Sequence, residues 1–253
     1  PFPFDVLGAQ TQGMIGYWLL QSLQNALPGR QVAAIIDQTL VAANDPAFAH
    51  PTKFVGAVYD EATARGYADD RGWSIAPDGD KWRRVVPSPS PERIVETRVI
   101  RLLLGSGAVV VCAGGGGVPV IRDEQGKLQG VEAVVDKDLA TAKLAEALEA
   151  DALLLLTDVP AVVRGFGTPD ATPIARATPA MLRREEFPAG SMGPKVDAVC
   201  RFVELTGDMA AIGGLDDAVD IVAGKAGTVV TPAGDYGGPG DLRAHRHTER
   251  TGA

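Results

Sequence analysis

The run ALLLLT at Ala152–Thr157 limits the possible folds more than any other stretch of the chain. A strand that is apolar at consecutive positions keeps no polar face for solvent, so it belongs in a largely parallel sheet with helices on either side. Residues 109–113 (VVVCA) repeat the pattern. Between such runs lie helical stretches. Over residues 5–27 the apolar side chains Leu7, Met14, Ile15, Trp18, Leu19 and Leu23 fall at helical spacing, and Pro28-Gly29 closes the segment. A strand is expected at 31–37. Pro91 marks the start of a helix over 92–104, which Gly105-Ser106-Gly107 ends before the strand 108–113. A short hairpin strand (128–134), helices (138–150, 178–186, 193–206, 216–223) and strands (209–212, 227–230) continue the alternation, so the class is α/β. Residues 45–91 differ in texture, rich in Pro, Gly, Asp and aromatics, and read as a hairpin excursion outside the main sheet. Residues 232–253 lack apolar periodicity and are expected to form a disordered tail.

Bulk composition narrows the function. The 253 residues carry a formal net charge of −8, which argues against general binding to nucleic acid or anionic membranes, since both need a basic field. No apolar run approaches a membrane span. Cys112 lies in an apolar strand and Cys200 in a helix, without the spacing of a zinc site or disulfide framework, as expected of buried thiols in a cytosolic protein. His50, His245 and His247 form no set with carboxylates, so no metal ligands are assigned.

Three elements carry chemistry. Gly114, Gly115, Gly116 and Gly117 follow a buried strand and can turn while exposing bare N–H groups to an anion. Their ordinary reading is a tight turn, and Pro119 breaks the pattern of a dinucleotide loop. Asp136-Lys137-Asp138 precedes a helix. Asp138 suits an N-cap, whereas Lys137 opposes the helix dipole unless an anion sits there. Ser191-Met192-Gly193-Pro194-Lys195 opens another helix and again places a lysine in a first turn, against a bland reading as a capped helix with a solvated lysine. Two such lysines suggest one polyanion. Lys53 by itself would be a solvated surface lysine.

The ordered series PFDVLGAQTQGMIGYWL, DPAFAHPTKFVGAVY, WRRVVPSPSP, VVVCAGGGGVPVI, GVEAVVDKDLATAKLA, ALLLLTDVPAV, GSMGPKVDA and AGKAGTVV resembles the carbamate kinases of the amino acid kinase superfamily, over residues 1–230. The resemblance implies a three-layer α/β/α sandwich, with one domain over 1–231 that includes a protruding lid at 45–87. It implies a cytoplasmic homodimer that transfers phosphoryl groups between ATP and carbamate, giving ADP and carbamoyl phosphate with Mg²⁺, in the ATP-forming direction of arginine catabolism. By the same resemblance Lys137 binds the phosphoryl group in flight, Asp136 holds the active-site lysines, and Lys195 binds the nucleotide phosphates. Lys53 closes over carbamoyl phosphate, and Gly114–Gly117 line the carbamate end. Thr157, Asp158 and Val159, with Ser191, Met192 and Gly193, border the nucleotide.

The family's two N-terminal glycine loops do not occur here, and Pro1 corresponds to a point after both. The chain is therefore expected to be an N-terminally shortened carbamate kinase. Two alternatives stay open: another amino acid kinase acting on a carboxylate, and a non-catalytic remnant that keeps nucleotide binding or dimerisation.

Overall fold

The computed structural model describes residues 2–188 and 190–238, and the chain divides into two compact units, Pro1–Ala140 and Thr141–Ala253. The first holds α1 (Phe4–Ala26), β1 (Val32–Ala34), β2 (Gln38–Val41), β3 (Lys53–Tyr59), α2 (Glu61–Arg71), β4 (Ser74–Asp78), β5 (Lys81–Val86) and β6 (Pro91–Ile94). It continues with α3 (Thr97–Gly105), β7 (Val109–Val111), β8 (Val118–Arg122), β9 (Leu128–Gly130) and the start of α4 (Lys137–Leu148). β1 runs parallel to β7, and β2 runs parallel to β8. β6 and β9 pair antiparallel on the outside, giving the order β6-β2-β8-β9. Leu40, Val41, Ile94, Ile100, Val118, Val120 and Val135 are buried.

Two sequence expectations change here. The strand expected at 31–37 is shorter: β1 ends at Ala34, and the chain re-enters a second sheet as β2. The helix expected from residue 92 starts only at Thr97, because residues 91–94 are a strand paired with β2. Proline suits the first residue of an edge strand as well as the first turn of a helix, since neither requires its missing N–H. Glu96 fixes the choice, since its carboxylate accepts the Gln38 backbone N–H at 2.7 Å and the Gln38 side-chain amide at 2.9 Å.

The segment expected as a lid, 45–87, contains the antiparallel sheet β3-β5-β4 with α2 packed on β4 and β5. It has a small core of its own. Tyr67 meets Tyr59 edge to face and Trp73 at a tilt, with ring distances of 5.1 and 5.2 Å, and the Arg71 guanidinium lies 4.4 Å from the Tyr67 ring. Asp45 joins entry to exit, because its carboxylate accepts from the N–H groups of Ala47 at 2.8 Å and Ser90 at 2.9 Å.

The second unit contains the remainder of α4, β10 (Ala152–Thr157), β11 (Val162–Arg164), β12 (Thr172–Ile174), β13 (Arg176–Ala177) and α5 (Pro179–Leu182). α6 (Met192–Thr206), β14 (Met209–Gly214), α7 (Ala218–Val222) and β15 (Thr228–Val230) follow. The strand order is β10-β14-β15-β13, parallel at β10-β14 and β15-β13 and antiparallel at β14-β15. α6 turns buried Val196, Val199, Phe202 and Val203 inward and packs on β14 and β10. β10 is an edge strand, so Leu153 and Leu155 are buried while Leu156 is exposed. The helix expected over 178–186 is a single turn, after which Arg183 pairs with Glu204 and Asp197.

The expectation of a disordered tail from residue 232 is corrected as far as 238. Tyr236 is buried against Met209, Ala211, Ile221 and Val229, and its hydroxyl donates to the Val222 carbonyl at 2.9 Å. Burial of the aromatic ring with its hydroxyl satisfied offsets part of the entropy lost in ordering this stretch. Residues 239–253, with His245 and His247, lie outside the described residues. Among the described residues no helix is long and apolar enough to cross a membrane.

Candidate active site

In the first unit the site grows from the end of β7. Ala113 adopts a left-handed backbone, Gly114–Gly116 make one tight turn, and β8 departs extended. This turn is braced from below by Asp37. Its fully buried carboxylate accepts from the Gln12 amide at 3.1 Å and from the Ala113 N–H. The Gln12 carbonyl in turn accepts the Asp37 N–H at 2.9 Å. Burial pushes the Asp37 carboxyl above its ordinary range, although the Ala113 and Gln12 hydrogen bonds pull the other way. Burial also pushes the Cys112 thiol up to about 11, with Asp37 adding to the shift, which disfavours the thiolate at neutral pH.

Gly117 has a positive φ of 79°, and a Cβ there would lie 2.2 Å from the Thr39 hydroxyl oxygen, which itself donates to the Gly116 carbonyl at 2.7 Å. Glycine is therefore required on both steric and conformational grounds. A cavity of about 330 Å³ lies against the turn, lined in part by Gln12, Cys112, Gly114, Gly115, Gly117 and Val134.

Asp136 stands at the head of α4 and accepts from the N–H groups of Asp138 at 2.9 Å and Leu139 at 3.3 Å. The helix cap is therefore Asp136, where the sequence favoured Asp138, which lies inside the first turn. Its second carboxylate oxygen meets Lys53 Nζ at 3.0 Å. Burial alone would raise the Asp136 pKa, but the Lys53 hydrogen bond and charge, with the Leu139 and Asp138 N–H groups, hold it below the ordinary value. A depressed carboxylate contributes stability above its unfolded pKa, about 3.9, and loses it as pH falls through the folded value. In a Lys53→Met variant the Asp136 carboxyl is expected to titrate at higher pH, followed by its ¹³C chemical shift, and acid unfolding should begin at higher pH. An unmoved titration would remove Lys53 as the source of the depression.

Lys137 is the first residue of α4, with its side chain 64% exposed and Nζ 3.8 Å from an Asp138 carboxylate oxygen. The glycine turn touches this segment directly, since the open side of Gly116 faces the Val135 carbonyl. Lys53, Gly114–Gly117, Asp136 and Lys137 are thus gathered within one unit.

In the second unit Thr157 ends β10 opposite Gly214, the end of the parallel strand β14, and its hydroxyl donates to the Asp158 carboxylate at 3.0 Å. Asp158 is exposed and Val159 half-buried. Ser191 precedes α6, Gly193 donates its N–H to the Pro188 carbonyl at 2.9 Å, and Met192, Gly193 and Lys195 are half-buried in the first turn. The Pro188 carbonyl takes the Ser191 and Gly193 N–H groups, and the Ser191 hydroxyl and Lys195 ammonium are the groups at this helix start that suit phosphate oxygens.

Gln12 and Asp37 were missed by sequence reasoning. Their signal was present but slight: a polar residue inside an amphipathic helix and a carboxylate closing an apolar strand.

Comparison with known proteins follows the same lines. The family model described as the amino acid kinase family matches residues 10–212. The chain is 52% identical over 231 residues to a carbamate kinase from Haemophilus influenzae, covering 91% of this chain and 74% of that protein. It is 52% identical to a carbamate kinase from Rhizobium meliloti, covering 91% and 72%. Among solved structures, carbamate kinase from Giardia lamblia bound to AMP-PNP superposes with a TM-score of 0.83 at 39% identity, covering 91% of this chain and 76% of that one.

Proposed function

The chain belongs to the amino acid kinase family, as a carbamate kinase with that family's α/β fold, and from this premise we propose how its own residues carry the reaction. The reaction is reversible phosphoryl transfer between ATP and carbamate. In the forward direction a carbamate oxygen bonds to the γ-phosphorus as the bond to the ADP oxygen breaks. The nucleophile is already an anion, so no protein group has to accept a proton. What the protein must supply is positive charge and N–H groups around the moving phosphoryl group.

One observation carries this reading: Lys53, Asp136 and Lys137 meet beside the glycine turn, with an ammonium left exposed at the head of a helix. Lys137 is proposed to neutralise the phosphoryl oxygens, Asp136 to hold Lys53 and the start of α4, and Lys53 to contact carbamoyl phosphate. Gly114–Gly117 are proposed to receive its carbamate end. In the other unit Lys195, Ser191, Met192 and Gly193 are proposed to bind nucleotide phosphates, and Thr157, Asp158 and Val159 to border the nucleotide.

Mg²⁺ is proposed to enter with the nucleotide. Such an ion would be held mainly by phosphate oxygens of the nucleotide. The apolar surface of α1, with Met14, Tyr17 and Trp18 about half exposed, supports a homodimer, to be checked by light scattering. A cytoplasmic location and net ATP formation in arginine breakdown are proposed from the family resemblance, and a carbamoyl phosphate pool unchanged by deletion of the gene would remove that role.

The deciding experiment is Mg²⁺-dependent ATP formation from ADP and carbamoyl phosphate by this chain. Turnover is expected. A folded chain with none would overturn the catalytic reading.

A further inference from the structure

Arg84 lies on the central strand of the β3-β5-β4 sheet, and its side chain makes contacts both within the excursion and outside it. Its guanidinium donates to a Glu132 carboxylate oxygen at 2.9 Å, lies 4.8 Å from the Trp73 ring and 5.1 Å from the Phe4 ring, and is only 14% exposed. Trp73 belongs to the excursion, whereas Phe4 and Glu132 do not. A planar cation in contact with two rings and hydrogen-bonded to a carboxylate is a directed joint that a lysine could not reproduce.

The partner segment explains why the joint matters. Residues 132, 134 and 136 each make one contact with the excursion or its exit: Glu132 with Arg84, the Val134 N–H with the Pro87 carbonyl at 3.0 Å, and Asp136 with Lys53 at 3.0 Å. Lys53 pairs across β3-β5 with Val86, and Val55 pairs with Arg84, so Arg84 and Lys53 are tied through one stiff two-stranded ladder. The Pro87 contact lies between the two ion pairs. With Arg84 released, the sheet would keep that contact as a pivot, and Lys53 would lose its fixed distance from Asp136.

We propose that Arg84, through Glu132 and Phe4, is a positioning residue that sets Lys53 against Asp136. The inference rests on Lys53 contacting carbamoyl phosphate only for its consequence in catalysis; the positioning itself can be read without turnover. The experiment is competitive acylation of lysines in the folded chain, with mass-spectrometric rates for Lys53 and, as internal references, Lys81 and Lys127, both exposed.

In Arg84→Met the Lys53 rate is expected to rise about two- to fivefold, the range set by loss of a partly exposed ion pair, with the references unchanged. Arg84→Lys should fall between the variant and the parent. Glu132→Gln, at a carboxylate 65% exposed, should move Lys53 in the same direction and remains decisive if Arg84→Met does not fold. Where the parent turns over, the KM for carbamoyl phosphate should rise in both variants while that for ADP holds. A Lys53 rate unchanged in a folded variant overturns the proposal, as does equal acceleration of all three lysines, which would mean general loosening. Absence of turnover in the parent would overturn the catalytic reading alone and leave the labelling to decide the positioning.

Discussion

Lys137→Ala is expected to lower kcat for ATP formation by about 10²–10³-fold, the cost of losing one well-placed partner of transition-state charge. The same substitution should leave the thermal midpoint within experimental error. These outcomes are expected to separate because the Lys137 side chain is 64% exposed and its ion pair to Asp138 spans 3.8 Å. An exposed pair of that kind contributes about 0–1 kcal/mol. As the first residue of α4, the ammonium also sits against the positive end of the helix dipole, which a bound phosphoryl group would relieve. The KM for ADP should change little if Lys137 acts on the group in transfer. Lys195→Ala should instead raise that KM. A kcat within threefold of the parent in a folded Lys137→Ala variant would remove Lys137 from the proposed role.

Lys137 could be picked out from sequence because its conflict with the helix dipole is local, visible in residues 136–139 alone. The glycine turn was legible for the same reason, since four successive glycines after an apolar strand leave few other conformations. What supports these elements was not legible. Asp37 braces Ala113 from a position 76 residues earlier, and Gln12 reaches Asp37 across 25 residues. Those pairings depend on which strands become neighbours, and periodicity does not report that. The strand at 91–94 was misread because Pro91 satisfies the first residue of a helix and of an edge strand equally well. Only the Glu96 contact with Gln38, 58 residues away, separates the two. In the same way WRRVVPSPSP stood out only as part of a family resemblance, while the contacts of Arg84 required Phe4 and Glu132, which only the fold brings alongside.

Gly116→Ala should be the most damaging of the small substitutions, and it tests whether the turn and the catalytic segment move together. Gly116 has φ of 98°, where an L side chain is strained, and an added Cβ would lie 2.3 Å from the Val135 carbonyl oxygen and 3.0 Å from its carbon. The obstacle is backbone, so no rotamer change relieves it. Strain of about 1–2 kcal/mol for the unfavourable backbone adds to an overpacking cost of about 1–3 kcal/mol, read as a lower urea midpoint. Gly115→Ala provides the control. Its φ is 64° but nothing lies within 4 Å of the new Cβ, so only the conformational cost of about 1–2 kcal/mol applies. The difference between the variants is therefore the contact with Val135. If the chain accommodates Gly116→Ala by displacing that carbonyl, Asp136 and Lys137 must shift with it, because they follow directly in sequence and Asp136 caps α4. Turnover at temperatures where the variant remains folded should then fall well below that of Gly115→Ala. Equal stability and equal turnover in the two variants would show that the turn and the helix start are not mechanically joined.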